Sequence, residues 1–175
     1  MLQIAFGWTG THLHRFVVQG REYGTGYPGG PSFGDDPRRV RLGDLGLRRT
    51  ERFTYHYDFT AWWCLDLRVE QIRTDAAQKG QHCPVCTGGR RAGPPEDCGG
   101  VQAFLENTQP HHVLAAAIRA AKILGMLLDD EDCTRFGEHR DELAGLLPLL
   151  GVDRFDRRTL NRALAAHAAA ETRAA

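Results

Sequence analysis

Arg52-Phe53-Thr54-Tyr55-His56-Tyr57-Asp58-Phe59 is the stretch that decides the fold. Its rings fall on every second residue, the period at which a β-strand buries one face and leaves the other in water. Residues 63–72 repeat the pattern less regularly through Trp63, Leu65, Leu67 and Val69. Two antiparallel strands turning near residues 60–62 follow. The rings of Phe53, Tyr55, Tyr57 and Phe59 are expected to fill a core rather than to stack on a ligand.

Toward the N-terminus, residues 13–18 read as a strand, 20–37 as a long Gly- and Pro-rich loop, and 40–45 as a short strand or turn. Toward the C-terminus the composition shifts to Ala and Leu, and helices are expected over 101–107 and 112–128. The acidic run Asp129 to Asp132 suits a helix N-terminus, so a third helix is expected over 133–147, stopping before Pro148. Asp156 is the expected N-cap of a last helix over 157–168, with Leu160 and Leu164 inward and the Ala-rich tail frayed. This order predicts an α+β fold, an antiparallel sheet packed against helices with a helical C-terminal half. At 175 residues the chain is expected to be one domain: 1–100 strand-rich, including a Cys/Pro/Gly loop over 73–100, and 101–175 helical.

The formal net charge is zero, so nothing global draws the chain to nucleic acid. Arg38, Arg39, Arg41, Arg48, Arg49 and Arg52 form a basic run, but Asp35, Asp36, Asp44 and Glu51 are interleaved with it, as on a solvated face. No run of about 18 consecutive apolar residues marks a membrane span, and no charged start leads into an apolar signal region. The reading is cytoplasmic, with no membrane and no identified partner. In a reducing compartment five cysteines are metal ligands or buried thiols rather than a disulfide framework.

His82-Cys83-Pro84-Val85-Cys86 and Gly93-Pro94-Pro95-Glu96-Asp97-Cys98-Gly99-Gly100 gather three of those cysteines into one loop. Cys83 and Cys86 have the spacing at which a tight loop points two thiolates at one zinc ion, with Cys98 third and His82, His14 or Cys64 fourth. The competing reading makes Cys86 and Cys98 small buried hydrophobes in a loop pinned by Pro84, Pro94 and Pro95. The residues assign no cofactor, and zinc is the one candidate. Asp97 is expected to bond loop amides or to cap the helix starting near Val101. His12 and His14 share a strand face, where such a pair more often packs or bonds backbone than holds an ion. No catalytic residue is assigned, because no nucleophile, base and orienting group stand in a recognisable pattern.

Gly7-Trp8-x-x-x-His12-Leu13-His14-x-Phe16, Tyr57-Asp58-Phe59 with Trp63, Val69-Glu70-x-Ile72 and the Gly-Pro-Pro-Glu-Asp-Cys-Gly-Gly block together resemble the plasmid pRiA4b ORF-3-like family. Some of its members carry the label of insertion-element passenger TnpR. The resemblance runs from the first residues to about Leu105, with a weaker echo over 155–164. It implies an α+β fold and a mobile-element association by genetic neighbourhood. Trp8, His14, Asp58, Trp63, Pro94, Pro95, Glu96 and Asp97 are the signature positions it points to as binding residues, their role unassigned. It does not imply recombination here, since the one serine, Ser32, sits in a Gly/Pro loop without flanking arginines.

Three departures stand out. Where members resemble Tyr-Asp-Phe-Gly-Asp-Ser-Trp-Glu-His, this chain turns apolar over 60–65, with Cys64 a partial stand-in. Gly93 replaces a cysteine common in members, leaving Cys83 as a replacement ligand. Members are similar in opening with a strand and a longer helix before Gly-Trp, so a start upstream of Met1 is expected. The resulting functional expectation is a non-enzymatic binding or adaptor module with a Cys-rich structural loop. The alternatives are a DNA-associated passenger protein and a metal-dependent hydrolase using Asp58, Asp66, Glu96 and Asp97.

Overall fold

The computed structural model describes residues 1–72, 84–128, 136–150 and 154–174. Element order is α1 (Leu2–Phe6), β1 (His14–Val18), β2 (Arg21–Gly24), β3 (Arg52–Tyr57), β4 (Trp63–Arg68), α2 (Gly100–Asn107), α3 (Pro110–Leu128), α4 (Phe136–Leu150) and α5 (Arg157–Ala174). The fold is α+β, with a four-stranded antiparallel sheet and helices in the C-terminal half. The chain divides into two compact units, Gly10–Gln81 holding the sheet, and Met1–Thr9 with His82–Ala175 holding the helices.

In the sheet unit the strand order is β2-β1-β3-β4. The β3–β4 hairpin has the predicted period: Tyr55 and Tyr57 are buried at 2% and 0% exposure and Trp63 at 5%, while Cys64, Asp66 and Arg68 point outward. Across β1, Phe16 pairs with Tyr55 and their rings lie 4.6 Å apart, so aromatic pairs hold the register. Phe53 and Phe59 are only half-buried, which confines the fully buried part of the ladder to its middle.

The loop expected over 20–37 contains β2. Gln19 and Gly20 both take positive φ (50° and 77°) between Val18 and its partner Arg21, the geometry of a type I′ hairpin turn. Asparagine or aspartate normally marks the first of those positions; glutamine does so rarely, and the signal is faint. Of the strand or turn expected over 40–45 the chain makes the turn, with 3₁₀ turns at Pro37–Arg39 and Leu42–Leu45, and Asp36 caps the first through the Arg38 amide (2.9 Å).

In the helical unit, Trp8, Ala116, Ala120, Ile123 and Leu164 are buried. Asp156 caps α5 as expected, accepting from the amides of Arg158 and Thr159 at 3.0 Å and from the Thr159 hydroxyl at 2.7 Å. The tail does not fray at residue 168. The helix continues to Ala174, because alanine carries the highest helix propensity of any residue. Helix α4 runs through Pro148 to Leu150, at the cost of one backbone hydrogen bond near its end. The acidic run 129–132 and the expected helix start at Cys133 lie outside the described residues.

The Tyr57 side chain is fully buried, its hydroxyl accepting from the amides of Gly10 (3.2 Å) and His12 (3.5 Å). Tyr57→Phe is expected to lower stability by about 1–2 kcal/mol, since it leaves two half-buried amides without this acceptor. Tyr57→Ala should lose about 3–5 kcal/mol in urea titration, and equal stability of Tyr57→Phe and wild type would contradict the assignment.

Candidate functional site

Helix α1 ends at Gly7, whose φ of 74° turns the chain so that Trp8 packs beside Phe6 with ring centroids 4.7 Å apart. The Trp8 indole N–H donates to the Pro94 carbonyl at 2.9 Å, and the Thr9 amide donates to Glu96 Oε2 at 2.8 Å. Trp8, Pro94 and Glu96, three signature residues from two distant segments, are thus brought together. Pro95 is half-buried beside them in sequence and Asp97 is exposed. The Glu96 carboxylate bonds an amide, and the residue capping α2 is Gly99, at φ 83° with no side-chain cap, so Asp97 does not cap that helix. A Cβ at Gly93 would lie 2.7 Å from the Phe6 carbonyl oxygen. A cysteine there would displace α1, which accounts physically for glycine at that position.

The cysteines stand differently. Cys86 is clamped by Asn161, whose side-chain oxygen accepts from the Cys86 amide (2.7 Å) and whose amide nitrogen donates to the Cys86 carbonyl (3.0 Å). Its thiol donates to the Gly88 carbonyl at 3.3 Å. Cys98 is half-buried, and burial pushes its thiol pKa up. Among the described residues no three His, Cys, Asp or Glu side chains gather into a metal-holding group. Cys83 and His82 lie outside the described residues. Val85, Cys86 and Thr87 face Arg157, Arg158 and Arg162 across an open cleft of about 780 Å³, with Arg157 donating to the Thr87 carbonyl at 3.1 Å.

In the sheet unit Asp58 is 7% exposed and takes φ 51° at the head of the β3–β4 turn. Its carboxylate accepts from the Thr60 amide (3.0 Å) and its carbonyl from the Trp62 amide (2.6 Å), so it builds the turn from inside. His12 Nδ1 lies 3.8 Å from Asp58 Oδ1, and the His12 ring stands edge-on to Tyr57. His14 is on β1, 5.7 Å from the Tyr55 ring. Burial lowers its pKa against a smaller opposing effect of the His12 backbone. Trp63 is buried at the start of β4. The other sheet face is polar: Arg15 pairs with Glu22 at 2.8 Å and lies 5.6 Å from the Trp62 ring, and Cys64 Sγ is 3.7 Å from His56 Nε2. Burial, with Arg15 second, lowers the His56 pKa as well.

Asp58, Glu96 and Trp8 each bond backbone groups, and each acid stabilises a turn or junction. Sequence reasoning missed Asn161 as the clamp on Cys86, for an asparagine inside a helix carries no signal of a partner 75 residues away. It also missed the Tyr57 hydroxyl, hidden by its role in the ladder.

Fold and junction define a small α+β protein in which an acidic Pro-Pro-Glu-Asp segment is strapped to a Gly-Trp turn. The chain belongs to the plasmid pRiA4b ORF-3-like protein family, whose sequence profile matches residues 1–115. It is 34% identical over 113 residues to the uncharacterized protein y4hQ of Sinorhizobium fredii (strain NBRC 101917 / NGR234), covering 61% of this chain and 54% of that one. The chain thus spans about half the length of that curated relative. Its fold is similar to the crystal structure of a protein of unknown function, MM3350, from Methanosarcina mazei Go1. The TM-score is 0.50 at 26% identity, over 89% of this chain and 73% of that chain.

Asn161→Ala is expected to lower stability by about 1–3 kcal/mol, because it leaves both Cys86 backbone groups without their partner. A melting temperature equal to wild type would rule out the clamp. The histidines set a pH dependence. His14 and His56 have folded-state pKa values below their unfolded value, so their contribution is complete above about pH 6.5 and is lost as pH falls through the folded pKa. The urea midpoint should fall between about pH 7.5 and pH 5.5, and His14→Gln should flatten that fall. A wild-type midpoint that rises over the same interval would contradict the burial of these rings.

Proposed function

We propose that this chain is a non-enzymatic binding or adaptor module of a mobile-element-associated family, acting in the cytoplasm, with its Pro-Pro-Glu-Asp-Cys segment as scaffold. The observation that carries the reading is the Glu96 carboxylate on the Thr9 amide beside the Trp8–Pro94 hydrogen bond. The acid of the Pro-Pro-Glu-Asp segment that accepts from Thr9 is employed in joining two parts of the chain. Catalytic acids are commonly kept at the expense of stability, so removing one tends to stabilise a fold; a scaffold acid behaves oppositely. The loop is held by packing and hydrogen bonds rather than by zinc, a reading supported by the Asn161 clamp and by the Cys86 thiol on the Gly88 carbonyl.

A second reading, association with nucleic acid, is favoured by Arg157, Arg158 and Arg162 on one cleft. The earlier candidate strip supports it less. Arg38 is paired with Asp36, while the amides of Arg41 and Arg48 are bonded to Asp44 and Glu51. Such binding would weaken steeply with salt.

Glu96→Gln is expected to lose about 1–2 kcal/mol of stability, with zinc well below one atom per purified chain by elemental analysis. A Glu96→Gln protein as stable as wild type or more so would overturn the scaffold role, and one zinc per chain would overturn the packing account of the loop. Retardation of duplex DNA at low salt that is lost in Arg158→Ala/Arg162→Ala would favour the second reading over the first.

A further inference from the structure

The register of the sheet sets Arg15 of β1, His56 of β3 and Cys64 of β4 in one row across neighbouring strands, on the face opposite the tyrosine ladder. His56 and Cys64 are direct cross-strand partners, with Cys64 Sγ 3.7 Å from His56 Nε2, within reach of a hydrogen bond to sulfur. Cys64 is exposed, whereas Cys86 and Cys98 are half-buried and the Cys86 thiol is bonded to the Gly88 carbonyl.

His56 Nδ1 is buried and has no partner among the described residues. A stranded N–H is tolerated less well than a stranded lone pair, so the ring carries its proton on Nε2, the nitrogen beside the sulfur. Burial first and Arg15 second lower the His56 pKa, against an opposing effect of Glu22, so the ring is neutral at pH 7. A neutral ring in this tautomer donates to a thiolate. Other charges on the same face are Asp66 one row along and Arg52 opposite Arg68 two rows along. Trp62, 50% exposed, stands edge-on to the His56 ring at 5.3 Å, with Phe59 5.9 Å beyond it.

We propose that Cys64 and His56 form a thiol-exchange site that takes small-molecule disulfides. The Cys64 thiol gives its proton to solvent, and the thiolate accepts a hydrogen bond from Nε2–H. It then attacks one sulfur of the disulfide. That S–S bond breaks as the bond to Cys64 forms, and the second sulfur leaves as a thiolate that takes a proton from solvent. Cys64 is thereby oxidised to a mixed disulfide while the reagent is reduced to one thiol, and a further thiol reverses the step. The exposed Trp62 ring offers the organic part of the reagent a surface beside the pair. Exchange needs an open sulfur and a donor to it. A hydrolytic triad also needs a group on Nδ1 to orient the ring, and among the described residues that nitrogen has none. The site lies within the sheet unit and is independent of the scaffold role of Glu96.

Glutathione disulfide at pH 7 tests it, with modification of the Cys64 peptide followed by mass spectrometry. In the folded wild type Cys64 should be modified roughly tenfold faster than in the same chain unfolded in urea, the scale of one hydrogen bond to a charged group. His56→Phe, which keeps a ring beside Trp62 but has no N–H, should lose that excess with its circular dichroism unchanged. His56→Gln, whose side-chain amide can donate, should keep part of it. A folded Cys64 that reacts no faster than the unfolded one, or a His56→Phe protein that reacts as fast as wild type, would overturn the proposal.

Discussion

The Trp8 indole on the Pro94 carbonyl closes a loop of 86 residues, and the organisation of the chain depends on that closure. All of the sheet unit lies, in sequence, between the two segments of the helical unit. Bringing such distant points together costs about 4 kcal/mol of chain entropy. The two hydrogen bonds at the junction return only about 1 kcal/mol each. Burial of Trp8, 5% exposed, returns up to about 5 kcal/mol on an extended-chain reference and is the larger part. Apolar burial therefore closes the loop, and the hydrogen bonds from Trp8 and to Glu96 set its geometry. Gly93 belongs to the same constraint, since only a residue without Cβ lets the segment pass the Phe6 backbone.

The acids of the two units obey one rule. Asp58 and Glu96 look like reaction machinery when read as residue types, yet each carboxylate accepts from a backbone amide at a point where the chain must change direction. A carboxylate so employed is fixed in place and partly neutralised by the donors that hold it. The same argument separates the cysteines: Cys86 is positioned by its backbone through Asn161, whereas Cys64 stands exposed on the polar sheet face beside His56.

Much of this was legible in the residues themselves. Alternation in Phe53, Tyr55 and Tyr57 announces β3, and Trp63, Leu65 and Leu67 announce β4, because a period of two has one structural meaning when the rings are large. Asp156 announces α5 because its capping bonds are local. What stayed hidden was non-local or chemically faint. Strand β2 rests on a Gln-Gly turn with weak turn preference and on pairing with β1. The Asn161 clamp and the Glu96–Thr9 bond join residues 75 and 87 positions apart, and no local pattern encodes them.

Native-state hydrogen exchange at the Trp8 indole N–H and the Thr9 amide tests the loop closure most directly. If the junction is part of the helical unit's cooperative structure, both protons should exchange at the free energy that opens the amides of α5. Exchange at unfolded-chain rates, with the α5 amides still protected, would show that the two segments are not held together by this contact and would contradict the account.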